Sequence, residues 1–464
     1  MELGVDAVDS VRQLLEHTTR ECAAVLETAK AIIELDGLLE AADGTALQPL
    51  YAKVPARLAG VIELFYDLGH VAHIRFIEPL LYRSDAYREQ DQRLSIQFGA
   101  HDRRPFILST PRLPTESSVE LQVPFSSPFI DVLARARTWP TDADVLMNAL
   151  PIDGVGAAKL LEATESPSRA PAAPRFEGTG MRVRYFGHAC VLVEGSGVSV
   201  LVDPFVSFSG DAEPSRFTIH DIPERIDAVL LSHGHQDHAL IETLLQLRHR
   251  VDLVVVPRSG PGTLVDPSMR LWLESIGFLD VVEISELQEV SIGAGCTVVG
   301  LPFIGEHADL AIHTKIAYAI RLGGCHLGLG IDSSNDDPAV YVRTAAIVGD
   351  FDAILIGMEC VGAPLPWLYG PLFAHSVPNA LADSRRLAAS DASSALAIVD
   401  AFHARKAYVY AMGFEPWTHH ILAVDLRPDS RQSLEIDAFL LACRARGVEA
   451  RMLLHRADFV LQSA

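Results

Sequence analysis

Residues 227–239 read DAVLLSHGHQDHA, an apolar run that ends on His233, His235, Asp237 and His238. A short apolar run closed by polar residues is a buried strand, and a helical pattern, ALIETLLQLRH, follows at once. Four side chains able to bind metal, on a loop whose two ends are fixed by a strand and a helix, converge on one or two cations. Chance clustering is a poor account of them in so apolar a context. The chain must fold so that this strand end opens onto a metal.

The surroundings alternate strand and helix. MRVRYF, CVLVEG and VSVLVDP, separated by glycine-containing turns, read as antiparallel strands from Met181 onward. DAVLLS and VDLVVVP are strands, and ALIETLLQLRH and TLVDPSMRLWLESIG are helices. This pattern predicts a layered α/β domain over residues 181–464. Later strands end on further ligand types: TVVGLPFIGEHAD presents Glu306 and His307, and HLGLGIDSS presents Asp332. AILIGMEC ends on Glu359, either a residue of the same mouth or a surface acid. GGCHLGLG leads into a strand and not a helix, so no dinucleotide-binding turn is expected.

Residues 1–163 have a different texture and predict a smaller α+β domain. Apolar residues from Val5 to about Ala42 recur at helical spacing, with Gly37 or Gly44 as the stop. From about Leu94, SIQF, PFILST and VELQVPF read as strands between prolines. The stretch LFYDLGHVAHIRFIEPLLYRSDAY brings together His70, His73, Arg75 and Arg83. No carboxylate ligand set accompanies these histidines, so a helix with hydrogen-bonded histidines at a domain interface is expected rather than a metal site. TESPSRAPAAPRFEGTG, residues 164–180, reads as a linker.

Charge narrows the classes of function. With 38 basic and 60 acidic residues the formal net charge is −22, which disfavours nonspecific nucleic-acid binding. The six cysteines form no CxxC pair and are expected to be reduced thiols. The N-terminus is acidic and lacks a signal-peptide core, and no run of about 18 apolar residues occurs. A cytoplasmic protein that does not span a membrane is expected.

HxHxDH after an apolar strand, the opening VRYFGHACVLVEGSGVSVLVDPF with Asp203 at its end, and the later Asp332 resemble the metallo-β-lactamase fold superfamily over most of residues 181–464. The resemblance implies an αββα sandwich with metals at the mouth where strand ends meet, and it casts His188 as a structural residue of the opening hairpin. Zinc hydrolases of the superfamily supply a histidine where GEH stands, which points to His307. Taking Glu306 instead joins three carboxylates, Glu306, Asp237 and Asp332, to the histidines, and hard oxygen donors of this kind suit iron. The extra N-terminal domain and the PFIGEHADL context are similar to one branch of the superfamily, the di-iron β-hydroxylases associated with nonribosomal peptide synthetases, as in chloramphenicol biosynthesis. RPFILSTPRLP and YVYAMGFEPW add to that resemblance.

Membership of this branch implies one iron on His233, His235 and Glu306, a second on Asp237, His238 and His375, and Asp332 as the bridge. Glu306, Asp332 and Glu359 are then the catalytic carboxylates, and His375 is preferred over His403, His419 and His420 by the branch's spacing. The implied cofactors are two Fe ions, oxo- or hydroxo-bridged when oxidised, with O2 as co-substrate and an external electron donor. The implied reaction is hydroxylation of the β-carbon of an amino acid, aromatic by analogy, held as a thioester on a carrier domain. Partners would be that carrier-tethered aminoacyl substrate, the nonribosomal peptide synthetase, an external reductase and a second copy in a homodimer, with neither nucleic acid nor membrane. Arg103, Arg104 and Arg112 are candidate docking residues for an acidic carrier. The alternatives are a zinc-dependent hydrolase of an ester, thioester or phosphodiester with His307 as ligand, and a non-catalytic oxygen- or redox-sensing module.

Overall fold

The structure, a computed structural model, describes residues 6–97, 102, 104, 118–149, 154–162, 173–208, 213–293, 295–422, 424–425 and 427–463. The N-terminal part opens with helices α1 (Asp6–Glu21) and α2 (Ala23–Glu40), broken from one another at Cys22. A hairpin of β1 (Ile62–Tyr66) and β2 (Ala72–Phe76) leads into the short helix α3 (Glu78–Leu81). A second hairpin, β3 (Arg93–Gln97) with β4 (Ser118–Gln122), precedes α4 (Pro128–Ala136), α5 (Ala143–Ala149) and α6 (Gly154–Glu162).

The LFYDLGHVAHIRF stretch is therefore a hairpin, not the expected helix. Ile62 and Leu64 alternate into a core with Leu35 and Leu39 of α2, a period-2 pattern. The Asp67 carboxylate accepts from Val71 N–H at 2.9 Å and closes the turn. His73 lies 3.2 Å from the same carboxylate on the surface. PFILST, Arg103 and Arg112 lie outside the described residues, as does the proline-rich first half of the 164–180 segment. Its second half runs along the larger domain, where Arg175 donates to the carbonyls of Gly197 and Arg225.

The larger domain is two seven-stranded sheets face to face. The first contains β5 (Met181–Gly187), β6 (Cys190–Gly195), β7 (Val198–Val202), β8 (Ala228–Leu230), β9 (Val254–Pro257) and β10 (Val281–Ile284). The second contains β11 (Glu289–Ser291), β12 (Cys296–Leu301), β13 (Ala317–Leu322), β14 (Cys325–Leu329) and β15 (Ala353–Gly357). A small surface pair, β16 (Ala363–Pro364) and β17 (Arg386–Leu387), follows, before β18 (Lys406–Tyr410) and β19 (Glu449–Met452) extend the second sheet. β20 (Ala457–Leu461) crosses back and pairs with β5. The helices are α7 (Ile241–Leu247), α8 (Met269–Ser275), α9 (Pro338–Val348), α10 (Leu365–Tyr369), α11 (Asn379–Ser384), α12 (Ala392–Ala401) and α13 (Arg431–Ala445).

Both faces of the strands are buried, so their sequences read as continuous apolar runs. On β6, Val191 and Val193 point into the core between the sheets, while Cys190 and Leu192 point into a second core under α7 and α8. That second core also takes Val119, Leu121, Phe129 and Ile130 of the N-terminal part, so the two parts share one apolar interior. β7, β8 and β9 are parallel, as are β14, β15 and β18. Residues Asp203, Ser232, Asp332 and Met358 follow the ends of β7, β8, β14 and β15, which gather the polar loops of both sheets at one edge.

Candidate metal centre

Three neighbouring groups of metal-ligating side chains lie at this edge: His233, His235, Glu306 and His307; His188, Asp237 and His238; and His233, His238 and Asp332. Within each group one ligand atom per residue lies within 4.8 Å of the others. His233 and His238 are each shared between two groups, so the arrangement describes two adjoining positions with Asp332 beside both histidines.

Buried Asp203, just past β7, braces the histidine loop at both ends. Its carboxylate accepts from Ser232 N–H at 2.8 Å and Ser232 Oγ at 2.6 Å, and it meets His238 Nδ1 at 2.8 Å. With Nδ1 donating there, His238 Nε2 faces inward, 2.8 Å from Asp332 Oδ2 and 3.6 Å from Asp237 Oδ2. Such a fixed tautomer is the usual support for a histidine ligand. Ile316 N–H donates to Ser232 O at 2.8 Å, tying the loop to the second sheet.

Glu306 sits on a tight turn after β12 with φ of +66°, beside Gly305 at φ +79°. A Cβ on Gly305 would collide with Ser334 Oγ, so only glycine allows the turn that aims Glu306. Lys315 Nζ donates to Gly305 O at 2.8 Å and holds the turn from the other side. The Glu306 carboxylate lies 2.8 Å from His235 Nδ1, 2.7 Å from His307 Nδ1 and 3.9 Å from His233 Nε2. Gly357, at the end of β15, leaves the space Asp332 Oδ1 occupies, since a Cβ there would lie 2.4 Å from it.

The electrostatics favour ligation. Among the described residues, His233 Nε2 and Asp332 Oδ1 are buried with no hydrogen-bond partner. Each such orphan costs about 1–3 kcal/mol unless something meets it, and a cation at this edge would meet both. Burial, with His238 and His235 nearby, holds His233 well below the usual imidazole range, hence neutral and ready to ligate. Burial alone would raise the acids; for Asp237 the neighbouring His238 and His188, and for Glu306 the neighbouring His235 and His307, outweigh it and keep both carboxylates ionised. The donor set of imidazoles and three carboxylates fits two irons.

The expected residues do not all converge. His233, His235, Asp237, His238, Glu306 and Asp332 come together, and His307 joins them. His375 does not: it is 75% exposed, and its Nε2 lies 3.1 Å from Glu40 of α2. The segment after α10 carries it away from the strand ends to the surface, where an acidic partner satisfies the imidazole. Neither alternative on the surface replaces it, since His403 pairs with Asp350 and His419 lies near Asp425. The imidazole beside Asp237 is instead His188, with Nε2 3.0 Å from Asp237 Oδ2 and φ of +48° in the β5–β6 turn. Glu359 is half-buried; it accepts from Gly362 N–H at 3.0 Å and Gln432 Nε2 at 2.9 Å. Burial raises its pKa, and the charge of Asp332 adds to that rise, so the two strand-end acids sense each other. Arg104 is committed within the chain, donating to both Glu242 oxygens at 2.7 Å. Two supports had no sequence signal: Tyr369, whose hydroxyl lies 2.9 Å from His235 Nε2, and Lys315. Lys315 reaches the site from a loop and Tyr369 from the end of the short helix α10, and no local pattern encodes where either segment goes.

A metallo-β-lactamase-type sandwich with a dinuclear metal centre is the class that this fold and site define. Comparison with known proteins agrees: residues 182–327 match the β-lactamase superfamily domain, and residues 1–167 match the diiron non-heme β-hydroxylase N-terminal domain. The chain is 39% identical over 458 residues to the 4-amino-L-phenylalanyl CmlP-peptidyl-carrier-protein 3-hydroxylase of Streptomyces venezuelae, covering 94% of this chain and 85% of that protein. The crystal structure of CmlA, a diiron β-hydroxylase from Streptomyces venezuelae, superposes with a TM-score of 0.90 at 37% identity, over 98% of this chain and 86% of that one. A metal-dependent hydrolase of Bacillus thuringiensis matches only a short stretch, 36% identical over 76 residues and 16% of this chain, 30% of that protein. The chain belongs to the diiron non-heme β-hydroxylase family.

Proposed function

We propose that this protein is an O2-dependent di-iron monooxygenase that hydroxylates the β-carbon of an amino acid tethered as a thioester to a nonribosomal peptide synthetase carrier domain. The observation that carries the reading is Glu306, turned into the first metal position by a glycine-dependent turn where a zinc hydrolase would offer histidine alone. When bound, the iron pair with dioxygen and electrons from an external reductase supplies the oxidising power for C–H cleavage. His233, His235 and Glu306 would hold one iron and Asp237 and His238 the other, with Asp332 beside both histidines His233 and His238. Glu359 stands past the strand end that adjoins that of Asp332 and would line the mouth beside the second position, while His188 orients Asp237. Asp203 fixes the tautomer of His238, and three carboxylates at the pair offset the charge of oxidised iron. Phe303 packs edge-on against His233 at 5.3 Å between ring centres and helps keep water from that face.

Two further features belong to this reading. Val8 and Leu15 of α1 and Val25, Leu26 and Ile33 of α2 are between 42% and 61% exposed, and they fit a homodimer interface. All six cysteines are free, and among the described residues no helix is long and apolar enough to cross a membrane.

The test is metal analysis and an optical spectrum of the purified protein, before and after anaerobic reduction, followed by turnover of carrier-bound aromatic amino acids. About two irons per chain and a product heavier by one oxygen are expected. The presence of His307 against Glu306 gives the zinc-hydrolase alternative its one structural support. Two zincs, a featureless spectrum and hydrolysis of the thioester would establish that alternative instead.

A further inference from the structure

Buried Tyr369 ends α10, and its hydroxyl lies 2.9 Å from Nε2 of His235, whose other nitrogen, Nδ1, lies 2.8 Å from Glu306. An imidazole between two polar neighbours must choose which nitrogen carries its proton, and the choice decides which lone pair can bind metal. The Glu306 carboxylate accepts only, so without metal it draws the proton to Nδ1; with a cation on Nδ1 the proton must sit on Nε2, where a hydroxyl, which accepts as readily as it donates, can receive it. We infer that Tyr369 is a positioning residue of the metal centre: its hydroxyl accepts the Nε2 proton of His235 and so keeps Nδ1 free toward Glu306 and the first iron.

The inference rests on the proposed metal centre and goes a step further, because the positioning group comes from outside the metal loops. Tyr369 is set by the segment between β16 and β17. Leu365 N–H donates to Arg385 O at 3.1 Å, and Arg385 Nε donates to Ala308 O at 2.8 Å, two residues past Glu306. Tyr369, Leu365 and Ala308 share one small apolar cluster, separate from the main core. The same segment carries His375 to Glu40 of α2. A side chain that fixes a ligand's tautomer is thus anchored on a strap that also touches the N-terminal helices. Displacing the strap would loosen His235 without touching the metal loop.

The test compares full-length wild type, Tyr369→Phe and Leu365→Val. Each is loaded with iron anaerobically and challenged with a chelator, and iron release and the melting temperature of the metal-free protein are both recorded. Loss of a hydrogen bond that orients a histidine ligand costs about 10–100-fold in metal affinity. Tyr369→Phe is therefore expected to release iron at least about tenfold faster, with a shifted optical spectrum. Leu365→Val trims the same small apolar cluster by one methylene but leaves the helix and the hydroxyl in place, and it is expected to hold iron as the wild type does. Release from Tyr369→Phe at the wild-type rate would overturn the inference. So would equal acceleration in both variants, which would assign the effect to packing. If the wild type takes zinc and refuses iron, the hydroxylase reading fails on that result, and the same three-way comparison with zinc still decides the role of Tyr369.

Discussion

Glu306 and His307 are consecutive, both buried and both turned toward the first metal position, so their roles separate only by removal. Glu306→Ala takes away a carboxylate that no neighbour replaces, and iron is expected to fall from about two per chain to one or fewer. His307→Ala leaves that carboxylate in place and is expected to keep both irons, because the imidazole supports Glu306 through Nδ1 at 2.7 Å. The opposite pattern by metal analysis would hand the position to His307 and zinc chemistry. A similar contrast applies across the mouth. Glu359→Ala is expected to lower iron content and abolish turnover, whereas His375→Ala, which alters an exposed contact with Glu40, is expected to change neither. Retention of iron by the first and loss by the second would require the segment after α10 to rearrange when metal binds. The convergence of His233, His235, Asp237, His238, Glu306 and Asp332 was legible in the sequence, because a strand followed by closely spaced ligands restricts where they can point. His375 was misread because its loop has no periodic constraint, and spacing along a chain says little about where a loop goes.

At the scale of elements, the join between the two parts depends on a few buried polar side chains. Arg248, just past α7, donates to Asp131 Oδ1 at 3.0 Å, Ser127 O at 2.8 Å, and the carbonyls of Phe125 and Ile276. One guanidinium thus ties the start of α4 to the end of α8. Arg248→Met strands a carboxylate and three carbonyls, and a loss of roughly 3 kcal/mol or more is expected in urea unfolding. Glu78, on α3, accepts from Ser268 N–H at 2.9 Å across the same join. Burial raises its pKa above 4.5, and the nearby charge of Asp266 raises it further. The folded state then holds a proton that the unfolded chain gives up, so this site's contribution is fully present at low pH and declines as pH rises from 4.5 through the folded value. Glu78→Gln keeps the acceptor for Ser268 and removes the charge. Its melting temperature is expected to exceed the wild type's at about pH 8, with the gap closing below about pH 4. A constant gap at all pH values would show that Glu78 titrates normally. The strands and helices of the sandwich were readable from their apolar runs, but the β1–β2 hairpin was not, since turn closure by Asp67 is invisible to a helical count.

For the whole molecule, the proposed dimer has to be reconciled with a net charge of −22 on each chain. Like charge repels, so a dimer must come from apolar contact at a local face. α1 and α2 offer one: Val8 and Leu15 are seven residues apart, as are Leu26 and Ile33, and each pair lies on one face of its helix, between 42% and 61% exposed. Single exposed apolar residues need no explanation, but two such pairs on neighbouring helices do. The wild type is expected to run at twice the 50.4 kDa chain mass in light scattering after gel filtration. Leu15→Glu with Ile33→Glu is expected to return it to the single-chain mass with little change in melting of the sandwich, because neither residue touches the shared core. Salt gives an independent check. Repulsion between the two chains is screened over about 8 Å at physiological ionic strength and over less at higher salt. An apolar interface between acidic chains should therefore tighten as salt rises, while one built from ion pairs would weaken. A wild-type mass of one chain at every salt concentration would remove the dimer. A dimer untouched by both substitutions would move the interface off α1 and α2.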